Sequence, residues 1–590
     1  MSFALFAAVL SLAAASEKPN IVLIVVDDLG QRDLGCYGST YHKTPHLDAL
    51  AKSGVMLTDA YAACPVCSPT RAAILTGKHP ARLNLTDWLP GQATKPDHRV
   101  QRPVIRQELP LEEVTLAEEL KRAGYATAHV GKWHLGGEGF GPREQGFDLN
   151  VAGDETGTPL SYFAPFENRK RNRKMPGLEN APAGEYLTDR LTTEAENFID
   201  ANRSRPFFLH LAHYAVHTPL TAKKDLQAKY KPGKPGAQGN PIYAAMMESM
   251  DASVGRILKA LDDRQLAEKT IVIFTSDNGG LATQEGPNTP ATSNAPFREG
   301  KGHLYEGGLR VPFILRGPGL RAGGVPMNSL DVMPTVLSWC GVKTDREFDG
   351  QDLSARMAGA KLPPLAPVYF WHYPHYANQG SRPSGAVRRG PWKFIEFYDT
   401  GRRELFDLSK DLSESRNLAA DKPDLVQELA KQLDGFRKDV GAKMPTPNPD
   451  YRPNPQAVDG RVTLPGKWGD AHGKQLRFEP LPHKNTFGFW TVKDDYLTWE
   501  FEVTKPGTFT VELTQGCGKG SGGAEIELSV GDSKTTHVVK DTGGFQAFEK
   551  LRAGTLSIPT PGRHLLVVRA RTKPGPAVMD LQQVLLKPVK

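Results

Sequence analysis

A chain of 590 residues is too long for one hydrophobic core, so two or more domains are expected. Its 39% apolar and 24% charged residues are those of a globular protein, and 58 Gly with 47 Pro point to many loops or a β-rich part. The net charge of +7 is small for this length and no block of Lys or Arg stands out, which argues against nucleic acid as a partner.

In chain order, Phe3 to Ala15 is a short apolar run closed by Ala13-Ala14-Ala15-Ser16. It is too short to span a bilayer and has the small-residue end of a signal peptide over residues 1–16, although its start lacks Lys or Arg. Export to the periplasm or the cell exterior is expected, with no later segment apolar enough for a membrane span. Ile21 to Val26 is a continuous β-branched run ending in Asp27-Asp28, which suits a central parallel strand buried on both faces. Thr44-Pro45 opens a helix closed by Gly54, and Thr115-Leu-Ala-Glu118 is a capping box whose helix ends at Gly124. A strand from Tyr125 to Val130 leads into Gly131-Lys132-Trp133-His134. A helix over Thr188 to Asn202 and a strand over Pro206 to Ala212 follow. A long helix from Ile242 to Leu261 then precedes the strand Thr270 to Thr275, which runs into Ser276-Asp277-Asn278-Gly279.

Alternating strands and helices predict an α/β domain over 17–365, with a mostly parallel central sheet flanked by helices. Ligands of such sheets gather beyond the carboxyl ends of the strands. Asp27, Asp28, His134, His217, Asp277 and Asn278 all lie at or just past such ends, so they are expected to converge. Short strands and a helix over 366–443 read as a small α+β subdomain, and the Pro-rich 444–460 as a linker. Period-two segments over 461–590 predict an appended β-sandwich, in which Trp490 and Trp499 could stack on sugars if they are not core residues.

The densest chemistry lies in Cys67-Ser68-Pro69-Thr70-Arg71, running into Ala72 to Gly77. Ser68 reads as a helix cap and Pro69 as the first helical residue, so Cys67 would sit at the positive end of a helix dipole, a place suited to an anion. Arg71 adds a cation that can fork onto oxyanions. Asp27, Asp28, Asp277 and Asn278 are hard oxygen donors, suited to Ca²⁺ or Mg²⁺ rather than a soft metal.

The C-x-P-x-R spacing resembles the signature of type I sulfatases in the alkaline-phosphatase-like superfamily. So do Pro19 to Gly30, Gly124 to His134, His217-Thr-Pro219, Asp277-Asn278-Gly279, Gly300-Lys301-Gly302 and Glu306 to Pro312, which together cover about Pro19 to Val342. The resemblance implies a sulfuric ester hydrolase of the arylsulfatase A-like kind, whose Cys67 is oxidised to formylglycine by a separate maturation enzyme. It implies one Ca²⁺ held by Asp27, Asp28, Asp277, Asn278 and the oxygen of residue 67. It further implies Arg71, Lys132 and Lys301 as the cations that meet the sulfate. Asp277 would help deprotonate the nucleophile, His217 would protonate the leaving oxygen, and His134 would take the later proton. Lys132, His217 and Lys301 would contact substrate, and His303, His372 and His375 are candidate contacts. The expected substrate is a sulfated glycan. A phosphonate or phosphate monoester hydrolase of the same superfamily and a non-catalytic glycan-binding protein are the alternatives. Conversion of Cys67 would leave Cys36, Cys64, Cys340 and Cys517, whose pairing, if any, the spacing does not define.

Overall fold

The computed structural model describes residues 18–168, 170, 172–321, 323–363, 365 and 367–589; the expected signal segment, 1–16, lies outside the described residues. The N-terminal part is built on a seven-stranded sheet in the order Val55–Leu57, Phe313–Arg316, Thr270–Ser276, Asn20–Val26, Phe207–Ala212, Ala126–Gly131 and Leu149–Val151. Asn20–Val26 runs parallel to both its neighbours, and the one antiparallel strand, Phe313–Arg316, lies near one edge. The apolar run therefore takes the centre, as its sequence predicts. Val22, Ile24 and Val26 face the helices Pro45–Ser53, Leu187–Ala201 and Pro241–Asp263. Ile21, Leu23 and Val25 face Cys67–Thr76, Leu116–Arg122 and Val332–Trp339. Both faces are covered, which is why the strand needs no polar alternation.

Beyond it, Val368–Tyr373, Ser384–Arg389, Trp392–Phe397 and Arg403–Asp407 form a four-stranded antiparallel sheet. Helix Pro423–Asp439 packs on one face through Val426, Leu429 and Leu433. The other face lays Trp371, Ala386, Ile395 and Phe406 against Tyr61, Cys64 and Val66, directly behind the residue that precedes Cys67. The C-terminal part is two packed antiparallel sheets. Tyr496–Val503, Gly562–Ala570, Glu525–Val530 and Ser533–Val538 belong to one, and Gly507–Cys517, Gly544–Ile558 and Asp580–Pro588 to the other.

Two differences from the sequence reading have clear physical reasons. Trp490 and Trp499 are 1% and 0% exposed, with their indole N–H groups donating to the carbonyls of Asp495 and Pro465, so both belong to the sandwich core and neither can stack on a sugar. The Pro-rich segment is not a free tether. Thr446–Pro447 pairs with Val100–Gln101, Asn448 Nδ2 donates to the carbonyls of Lys95 and His98, and Asn454 Nδ2 donates to Glu500 O. All five cysteines lie in the described residues and are free thiols, so none of them pairs.

Candidate active site

The parallel strands of the sheet end together, and their ends carry the acids. Asp27 and Asp28 follow Val26, while Asp277 and Asn278 follow Ser276 on the adjacent strand. Ser276 stitches the two ends: its hydroxyl accepts from Leu29 N at 3.0 Å and bonds Val26 O and Asn278 O. Asp28 takes the left-handed conformation, φ 60°, that a short polar residue tolerates. On the other side, Gly131 has φ 114°, and a Cβ there would lie 1.8 Å from Ala212 O; only glycine lets the chain turn closely enough to point Lys132 inward.

Cys67 enters from the opposite direction, as the first residue of Cys67–Thr76. The helix begins earlier than the Ser-Pro pair suggests: Val66 is the cap position and offers no side-chain bond. Thr70 replaces that cap. Its hydroxyl accepts from Cys64 N and donates to Cys64 O, both at 3.0 Å, closing the turn that presents Cys67. Ser68 instead accepts from Leu89 N at 3.2 Å.

The cluster is buried and pairs acids with cations. Asp27, Asp28 and Asp277 are at most 1% exposed, and Arg71, Lys132 and Lys301 at most 4%. Arg71 donates to Asp277 Oδ2 at 2.9 Å and to Lys132 O at 3.0 Å; Lys132 Nζ donates to Asp27 Oδ2 at 2.7 Å. Lys301 Nζ lies 2.8 Å from Asp28 Oδ2 and 3.0 Å from His217 Nε2. Asn278 Nδ2 donates to Asp28 Oδ1 at 2.8 Å. Burial and the neighbouring Asp27 push Asp277 up to about 6. Burial also raises Asp28, but Lys301 and His217 outweigh it and hold this carboxyl below its ordinary value.

Two oxygens of this cluster have no hydrogen-bond donor, Asp27 Oδ1 and Asn278 Oδ1. One atom each from Asp27, Cys67 and Asp277 lies within 4.8 Å of the others, and the same holds for Asp27, Asp28 and His217. Buried acceptors without donors, among carboxylates that repel one another, fit a hard divalent cation.

The thiol itself is not activated. Burial pushes Cys67 up to about 11 despite Lys132 and Lys301, so at neutral pH it is a protonated thiol. Both histidines are held below the ordinary imidazole range. Burial, reinforced by Lys301, lowers His217 to about 4, and burial with Lys132 holds His134 well below its usual range. Both rings are oriented by carbonyls. His217 Nδ1 bonds Thr218 O at 2.6 Å, leaving Nε2 toward Lys301. His134 Nε2 bonds Leu89 O at 2.7 Å, leaving a buried Nδ1 without a partner.

The other three histidines separate. His375 Nε2 bonds Thr86 Oγ1 at 2.8 Å, on the segment whose Leu89 carbonyl holds His134. His372 has both ring nitrogens occupied, by Tyr398 Oη and Lys443 O. His303 bonds Gln379 O at 3.2 Å and lines a cavity with Arg298, Arg402 and Asp470, facing the sandwich rather than the acids. The sequence assigns no role to Thr70, Ser276 or Leu89: the two hydroxyls stand beside more reactive residues, and Leu89 acts through its backbone, which leaves no mark on residue choice.

The chain matches the model of the Sulfatase family over residues 19–342, and that of "N-sulphoglucosamine sulphohydrolase, C-terminal" over 299–439. It is 34% identical to human arylsulfatase A over 492 residues, spanning 73% of this chain and 89% of that one. It is 32% identical over 487 residues to a sulfatase of Formosa agariphila, spanning 69% of this chain and 86% of the relative. A solved structure described as Ps i-CgsB in complex with k-i-k-neocarrahexaose superposes with a TM-score of 0.60 at 29% identity, covering 72% of this chain and 94% of that one. A phosphonate monoester hydrolase of Agrobacterium radiobacter shares the fold at 20% identity, with a TM-score of 0.54 and 72% and 96% covered. The match to the family model takes in the strand-end acids, the cations around them and the helix headed by Cys67, and the chain belongs to the sulfatase family.

Proposed function

We propose that this protein is an exported sulfatase that hydrolyses sulfate esters of a sulfated glycan, using a formylglycine made from Cys67 and one bound Ca²⁺. The observation that carries the reading is Cys67 at the head of a buried helix, facing three carboxylates and three cations. Asp27, Asp28 and Asp277 offset the charges of Arg71, Lys132 and Lys301 within the buried cluster. A divalent cation held there would offset the negative charge of the nucleophilic oxygen and of the sulfate ester.

Asp27, Asp28, Asp277 and Asn278 would hold the Ca²⁺, which would supply Lewis-acid polarisation of oxygen among buried side chains. A formylglycine hydrate at position 67 supplies two hydroxyls on one carbon, one to attack sulfur and one whose deprotonation later expels sulfate. A thiol with its proton held to about 11 is a poor nucleophile at neutral pH, which is consistent with maturation by a separate enzyme.

The remaining work falls to the chain's own residues. Asp277, raised to about 6, is suited to take a proton near neutrality, while Arg71 holds its carboxylate in place. Lys132 and Lys301 are preorganised to meet sulfate oxygens in a low-dielectric pocket. We assign His217 the protonation of the leaving oxygen, through Nε2, because Nδ1 is held by Thr218 O; the resting ring is neutral, so that proton is taken up from solvent when the anionic ester enters, and Lys301 keeps its charge. His134 takes the later proton at Nδ1, its unpartnered nitrogen. The glycan assignment is supported by relatives named for sugar substrates, such as canine N-acetylgalactosamine-6-sulfatase, which is 37% identical over 392 residues.

The test is sulfate release from a panel of sulfated oligosaccharides by protein made in its native host. The wild type is expected to turn over, and Cys67→Ser, which keeps one oxygen but lacks the second hydroxyl, is expected to fall by at least about 10³-fold. Comparable turnover in Cys67→Ser would overturn the reading.

A further inference from the structure

An acid stands where an anion-hydrolysing site has no obvious need of one. Glu285 lies on the loop that follows Asp277-Asn278, and its Oε2 is 3.6 Å from Lys301 Nζ. Its side chain is 25% exposed, against 4% for Lys301 and 2% for Asp28, so it marks the outer end of the chain Asp28–Lys301–Glu285. The carboxylate is held firmly. Gln379 Nε2 donates to Oε2 at 2.6 Å, and the backbone N–H of Glu285 donates to Thr289 Oγ1 at 2.8 Å. The Thr289 hydroxyl then donates to Gly286 O at 2.7 Å, which fastens the turn. Gln379 is itself 5% exposed and belongs to the small subdomain, so two parts of the fold combine to hold this acid beside Lys301.

A carboxylate next to Lys301 weakens the attraction of that cation for sulfate, so electrostatics alone does not account for its place. Oε2 is engaged on the inner side, whereas Oε1 has no protein partner among the described residues. An ionised carboxylate oxygen accepts hydrogen bonds only, and takes them strongly from hydroxyl groups. It repels a second anion at the same distance, little screened in a partly buried site. A sugar sulfated on a secondary ring hydroxyl presents both possibilities wherever the neighbouring ring carbon bears a free hydroxyl or another sulfate.

We propose that Glu285 is a specificity-determining residue. It accepts a hydrogen bond from the hydroxyl next to the scissile sulfate and excludes sugars that carry a second sulfate there. The inference rests on the sulfatase reading above and deepens it, by naming the substitution pattern that the site prefers.

The experiment uses the matured enzyme, wild type and Glu285→Gln, with methyl glycosides of galactose and glucosamine that carry one sulfate on a secondary ring hydroxyl next to a free hydroxyl. Each is compared with its counterpart bearing a second sulfate on the neighbouring carbon. The wild type should favour the monosulfated sugar by at least about tenfold in kcat/KM. Glu285→Gln should bring that ratio close to one, by raising KM for the first substrate and lowering it for the second. Gln379→Leu, which frees the carboxylate without removing it, should shift the ratio the same way by a smaller factor. An unchanged ratio in Glu285→Gln overturns the proposal. An equal fall in kcat on both substrates also overturns it, since that is what a residue merely holding Lys301 would give. Absence of sulfate release by the wild type from every sugar ester would instead overturn the sulfatase reading itself.

Discussion

Asp28 and Asp277 each have both carboxylate oxygens occupied by donors of the protein, whereas Asp27 Oδ1 and Asn278 Oδ1 have none. Two orphaned oxygens on adjacent strand ends, among three carboxylates, fit a hard cation better than a closed set of buried salt bridges. The residue types were legible in the sequence because acids ending two apolar strands are hard donors brought side by side. Which oxygens stay unpartnered was not legible, since it depends on where Lys132, Lys301 and the Asn278 amide point. A direct consequence can be measured by thermal melting. Excess Ca²⁺ should stabilise the wild type over chelator-treated protein, by about 2.7 kcal/mol at a hundred times the dissociation constant. Asn278→Leu, which removes one orphaned oxygen, should lose most of that shift. An equal shift in both proteins would remove Asn278 from the cation site.

Helix Cys67–Thr76 owes its start to a side chain inside it. With Val66 at the cap position, the pair of hydrogen bonds between the Thr70 hydroxyl and the Cys64 N–H and C=O closes the turn. Ser68 then ties the same turn to Leu89, whose carbonyl orients His134. The Ser-Pro pair marks the helix correctly within a residue or two but assigns the cap to the wrong hydroxyl. Pro69 is compatible with any position in the first turn, where its missing N–H costs nothing, so it cannot define the first residue. Thr70→Val keeps the shape and leaves a buried N–H and C=O of Cys64 unpaired. It should cost about 1–3 kcal/mol of stability and lower kcat more than it raises KM, because Cys67 loses its register against the acids. A loss of stability with kcat unchanged would place Thr70 outside the positioning of residue 67.

Over the whole molecule, convergence of the strand ends was predictable, because a parallel sheet delivers every C-terminal end to one edge. Lys301 and its glycine-rich loop join that edge from the far side of the strand Thr270–Ser276, guided only by tertiary packing. The sandwich was readable from period-two patterning, but its docking was not. Arg99 and Arg382 both grip Asp470, at 2.8 and 2.6 Å, and the Pro-rich strap pairs with the catalytic half. Single charged residues far apart in sequence carry no signal that they will meet. The same limit hid Glu285, whose meaning comes only from its distance to Lys301. The pairing of three acids with three cations makes sense if residue 67 brings an oxygen nucleophile rather than a thiol. Mass spectrometry of the peptide containing Cys67, from protein made in its native host, tests that claim most directly. The account predicts an aldehyde in place of the thiol in active preparations; an unmodified Cys67 in protein with full sulfate-releasing activity would contradict it.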